Sequence, residues 1–159
     1  MSVLFRLSVS LLALLLTSAA SAASQFELTN TQARATFPMA ETAAVYTTIT
    51  NHSDQPLTLV RASVSEDLAA QVQMHSTVMQ DGMMKMRQLK DGVTVAPGES
   101  VAMQSGGTHF MLTGLVSGLE AGSAFPMTLY FSDGSEQKVT VPVVNFSETM
   151  HHHHHGNHH

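Results

Sequence analysis

Cysteine is absent from the 159 residues. That removes disulfide stapling, so a domain of this size depends on its apolar core. It also removes every thiolate metal site, including the trigonal His2Cys arrangement of blue-copper proteins. Basic residues are scarce: seven Lys and Arg stand against twelve Asp and Glu. With no basic stripe, nucleic acid is excluded as an expected partner. Helical periodicity of useful length is missing, as is any Ser-His-Asp spacing or paired-carboxylate arrangement suited to hydrolysis. The chain is therefore expected not to be an enzyme. The one long apolar run, Leu7 to Leu16, is shorter than the roughly 20 residues that a membrane span requires.

That run has the anatomy of an export signal. Arg6 precedes it, and Ala20-Ser21-Ala22 follows as an A-x-A cleavage pattern. The expected organisation is a cleaved signal over 1–23, one domain over 24–147 and a His-rich tail over 148–159, with no membrane span left after cleavage. About 136 residues then remain, enough for one domain with a real core.

Within the domain, short β-branched and aromatic runs alternate with Gly, Pro, Asn and Asp turns, which predicts an all-β sandwich or barrel. Residues 25–30 and 33–37 read as two opening strands. Residues 43–51 and 57–64 read as a hairpin around His-Ser-Asp-Gln-Pro. Residues 68–77 and 83–89 flank Asp81-Gly82, a strong hairpin signal. Further strands are expected over 93–96, 100–103, 108–113, 125–132 and 137–144. Residues 114–122 read as a loop pinned by Leu115, Val116 and Leu119.

Methionine is abundant, with nine residues between the signal and the tail. Four residues stand out: His75, Met86, His109 and Met111, spaced H-x10-M-x22-H-x-M. Strand parity places His75 opposite to Val72 and Met74, and sets His109 and Met111 against the apolar Phe110 and Leu112. Residues i and i+2 of a strand lie about 6.7 Å apart, so His109 and Met111 can address one ion. Thioether sulfur favours Cu(I), and imidazole accepts copper readily. Met74, Met103 and Met127 read as core. Met84 shares the parity of Met86, as an apolar rim or as ordinary hairpin surface, and His52 reads as a solvated turn residue.

The same residues carry a family resemblance. Met74-His75, Met86 and His109-Phe110-Met111, with the flanking VYTTITNHSDQPLTLV, MHSTVMQDGMMKMRQL and VTVAPGESVAMQSGGTHFMLTGL, resemble the PCuAC family of periplasmic copper chaperones across about residues 40–143. The resemblance implies a cupredoxin-like Greek-key β-sandwich with an exposed His2Met2 site for Cu(I). It also implies delivery to the binuclear copper site of cytochrome c oxidase, alone or with a Sco-type thiol protein, in the periplasm.

The tail supplies His151, His152, His153, His154, His155, His158 and His159, which favour Cu(II) through nitrogen ligation. A purification tag is the plainer explanation. The Gly-Asn interruption and the retained signal favour a natural extension. Three other functional classes compete: a copper redox protein, a copper buffer driven by the tail, and a structural β-sandwich whose His and Met are incidental.

Overall fold

The computed structural model describes residues 25–145, so the signal, the tail and both expected domain boundaries lie outside the described residues. Ten strands follow in order: β1 Phe26–Arg34, β2 Thr42–Asn51, β3 Leu57–Ser63, β4 Ala69–Gln80, β5 Met83–Gln88, β6 Val93–Val95, β7 Ser100–Met103, β8 Thr108–Leu115, β9 Ala124–Phe131 and β10 Glu136–Val144. The architecture is all-β and cupredoxin-like. Among the described residues no helix is long and apolar enough to cross a membrane.

Hydrogen bonding runs β5-β4-β8-β2-β1-β10-β9-β3-β6, with β7 also on β2. One parallel pairing, Ala33 with Val143 and Arg34 with Val144, joins the half built on β1, β2, β4, β5, β7 and β8 to the half built on β3, β6, β9 and β10. Period-2 alternation decides which side chains go inward. Val45, Ile49, Leu59, Met103, Phe110, Leu112, Met127, Leu129 and Val141 are almost fully excluded from solvent. Phe26 of β1 stacks on Phe131 of β9, centroids 3.8 Å apart. Met74, Met103 and Met127 are core residues, as their parity predicts.

Three local expectations are corrected. The two opening strands are one, β1, whose register shifts between Thr29 and Gln32. Asn30 there takes φ 53°, and a bulge of this kind looks like a strand break in sequence. The 43–64 segment is not a hairpin: β2 pairs with β1, β7 and β8, whereas β3 pairs with β6 and β9. The turn is real but carries the chain to the other half. Asn51 shapes it, its Oδ1 accepting from Ser53 N and Oγ and its Nδ2 donating to Gln55 O. Leu119 is buried as expected, but Val116 stands exposed and pins nothing.

Candidate metal centre

The site is laid out by the register of β4 with its two neighbours. His75 lies directly opposite His109 of β8 on one side and Gln88 of β5 on the other. Met111 opposes Gln73, and Met86 opposes Thr77. Directly opposed residues project to the same face. All four sequence-selected residues therefore share one face of β5-β4-β8, while Met74 and Phe110, themselves paired, fill the core behind it.

The two imidazoles are neighbours, with centroids 6.3 Å apart and planes at 64°. Tyr46 of β2 flanks His109 from the far side at 6.3 Å. With a ring on each side, His109 is only 5% exposed, although it points away from the core. The resemblance implies an exposed site, and His109 departs from that by its burial. One histidine is buried, His75 and Met111 are half-buried, and Met86 on the edge strand is open to solvent.

Hydrogen bonding fixes which nitrogen of each ring is free. His109 Nδ1 lies 3.1 Å from Gly107 O. A carbonyl only accepts, so Nδ1 carries the proton and Nε2 keeps its lone pair. His75 Nε2 lies 2.9 Å from Gln73 Oε1. Gln73 Nε2 donates in turn to Gln71 Oε1 at 3.2 Å, which sets the amide so that its oxygen faces His75. His75 Nε2 therefore donates, and Nδ1 holds the lone pair. That Nδ1 is buried and has no partner, a state that costs free energy unless a ligand fills it.

The electrostatics favour a neutral His75. Burial pushes the His75 pKa below its ordinary value, and the neighbouring His109 ring pushes it further down. Among the described residues no cluster of three His, Cys, Asp or Glu forms. Further donors to an ion held by the two histidines must therefore come from other groups, and the thioethers of Met86 and Met111 lie on the same face. Two neutral nitrogens and two soft sulfurs add no charge, which suits a monovalent soft ion better than a hard divalent one.

Sequence reasoning missed Gln73, Gly107 and Tyr46. A glutamine two residues before a histidine on a strand is the available signal for the first. Tyr46 gives none, because its approach to His109 depends on which strands pair. His52 is outside the site and pairs with Glu27 Oε2 at 3.0 Å on the surface. The seven tail histidines lie outside the described residues.

Comparison with known proteins gives the same architecture. A copper-bound PCuAC domain from PmoF2 superposes with a TM-score of 0.62 at 24% identity, covering 77% of this chain and 94% of that one, a likeness of fold. The solution structure of CuI-DR1885 from Deinococcus radiodurans gives 0.62 at 30% identity, covering 80% and 83%. A relative from Leifsonia xyli subsp. xyli, described as "Putative lipoprotein Lxx21020", is 39% identical over 90 residues, 57% of this chain and 54% of its own length. The chain spans about half the length of the curated relatives it matches. The family model described as "Putative lipoprotein LpqE-like" matches residues 26–143, nearly the whole described fold, and the chain thus belongs to the LpqE-like family on a PCuAC-type β-sandwich.

Proposed function

We propose that this protein is an exported copper chaperone. It holds Cu(I) with His75, Met86, His109 and Met111 and releases it to a copper-accepting protein. The observation that carries the proposal is the in-register His75–His109 pair, in which Gln73 and Gly107 O leave one lone pair free on each ring. Carriage, not turnover, suits the arrangement. The two histidines are held by their hydrogen bonds, while Met86 on the exposed edge strand is free to leave first. The resemblance in sequence and the fold shared with CuI-DR1885 support copper as the cargo. Relatives described as lipoproteins support export, here to the periplasm.

The expected acceptor is the binuclear copper site of cytochrome c oxidase, reached alone or with a Sco-type thiol protein. The tail histidines capture Cu(II) and raise the copper concentration near the folded site. The test is an anaerobic Cu(I) titration against a competing chelator, with and without residues 150–159, on the parent chain and on a His109→Ala, Met111→Ala variant. Tight binding is expected to survive tail removal and to fall in the double variant by more than the roughly 100-fold typical of losing one outer hydrogen-bond partner. Binding that follows the tail and ignores the double variant would refute the proposal.

A further inference from the structure

The β4–β5 hairpin carries far more exposed apolar surface than its size explains. Of the nine exposed large hydrophobic residues in the described chain, Val78, Met79, Met83, Met84 and Met86 lie on this one arm. Every residue of β5 is exposed, and β5 is the end of the strand path. An apolar edge strand invites aggregation, and edges of this kind usually carry charge or proline. Lys85 and Arg87 supply that charge on β5, which leaves the exposed methionines beside them to be explained.

Register sorts the arm into two unlike faces. Met79 directly opposes Met84, and Met86 opposes Thr77. These three methionines share the face of His75. The opposite face holds Val78 paired with Lys85, Ser76 with Arg87 and Gln80 with Met83, and there Arg87 hydrogen-bonds Gln80. Both cations of β5 are thus on the face away from Met79, Met84 and Met86. The methionine face carries neutral soft donors and no positive charge, the environment a monovalent soft cation requires. Opposed residues have Cβ atoms about 5 Å apart, and successive same-face residues are about 6.7 Å apart along the strand. The thioethers thus form a row from the hairpin tip: Met79 with Met84, then Met86, then the histidine pair.

From this register and segregation of charge we propose that Met79, Met84 and Met86 form a second, thioether-only site for a soft monovalent ion. The inference rests on the copper-carrier reading for its cargo. Met86 belongs to both sites, so occupancy of the outer one hands the ion inward or outward by exchange of ligands at a single shared residue. No electron or proton moves in that exchange.

The test follows the methionine methyl resonances of the full chain, labelled with 13C at the methyl carbon and titrated with Ag(I) as a diamagnetic probe. The first event is expected to shift Met86 and Met111, and further additions to shift Met79 and Met84. Met83 and Met39, at 59% and 84% exposure, serve as controls off that face and should stay in place. A Met79→Leu, Met84→Leu variant keeps the apolar surface, and is expected to lose the second event and retain the first. Met79 and Met84 signals that stay fixed, or move no more than Met83 and Met39, would overturn the proposal. Failure of Met111 to respond would instead refute the histidine site, and the contrast of Met79, Met84 and Met86 with Met83 would still decide the outer one. Ions taken up by the tail shift none of these methyls and only delay the events.

Discussion

At the scale of the residue, the site depends on which imidazole nitrogens are kept free. Gln73 is the clearest case, because its Oε1 holds the His75 Nε2–H and leaves the buried Nδ1 without a partner. Gln73→Leu keeps the bulk and removes the acceptor. Cu(I) affinity is expected to fall about 10- to 100-fold, the usual loss when a ligand histidine loses its partner. The 15N shifts of the His75 ring should report a mixed tautomer, and unchanged affinity with an unchanged tautomer would contradict the role. A second prediction concerns protons. The His75 pKa is lowered in the folded chain, so the unfolded chain binds this proton more readily. Stability tied to the neutral ring is thus complete above about pH 6.5, the ordinary histidine value, and is lost as pH falls from there toward the lower folded value. NMR titration of the metal-free chain should place the His75 midpoint below 6.5, and a midpoint at or above it would refute the assignment. That His109 and Met111 share a face was legible at this scale, because alternation alone opposes them to Phe110 and Leu112. Burial of His109 was not legible, since it comes from Tyr46 on a strand more than sixty residues earlier in the chain.

At the scale of the element, the β4–β5 arm is a cantilever. It carries Met86, and its strand β5 has neighbours on one side only. Its geometry is set by the turn, where Asp81 and Gly82 take φ of 54° and 75°, the paired left-handed conformations of a type I′ hairpin. A Cβ on Gly82 would meet no neighbouring atom within 4 Å, so Gly82→Ala tests conformation without steric clash. The left-handed penalty of about 1–2 kcal/mol should appear locally. Hydrogen-exchange protection of the β4–β5 cross-strand amides is expected to drop about 5- to 30-fold, with the melting temperature shifting by only a few degrees. Protection that stays level would show that the arm is held by something other than its turn. The Asp-Gly pair made this hairpin readable from sequence, because a type I′ turn both reverses the chain and matches strand twist. His-Ser-Asp-Gln-Pro carried an equally visible turn signal and misled. A turn whose bonds go to the Asn51 side chain reverses direction without committing the flanking strands to each other. Local chemistry specifies that a turn exists, and the partner of each strand is decided by burial across the whole sandwich.

At the scale of the whole molecule, two functions of the sequence are kept apart in space. The candidate site occupies one end of the strand path, on β5, β4 and β8. The hydrogen-bonded and stacked ties between the halves lie elsewhere, in the β1–β10 pairing, the Phe26–Phe131 stack and Asn51, while β4 also packs against β3. Asn51 has no solvent exposure, and besides shaping its own turn it donates Nδ2 to Val95 O at 3.0 Å across to β6. Its backbone closes the same junction, with N donating to Glu99 O and O accepting from Gly98 N. Asn51→Ala leaves the backbone bonds in place, and Ser53 Oγ keeps Gln55 O as its acceptor at 2.8 Å, but the Ser53 N–H loses its acceptor and the bond to the Val95 carbonyl is lost. An unsatisfied buried group costs about 1–3 kcal/mol. Gln55 lies at the surface, where water substitutes, so a total of about 2–4 kcal/mol is expected. For a domain of this size that lowers the melting temperature by about 10 °C. Because the junction lies away from β5, β4 and β8, Cu(I) affinity measured well below the new melting temperature should equal that of the parent chain. Denaturant unfolding and a chelator-competition titration on the same variant check the two halves of the prediction separately. A loss below about 1 kcal/mol would show that the Asn51 network is redundant. A parallel loss of affinity would show that the junction and the metal face are mechanically coupled, and that the hairpin arm is not the independent element its edge position implies.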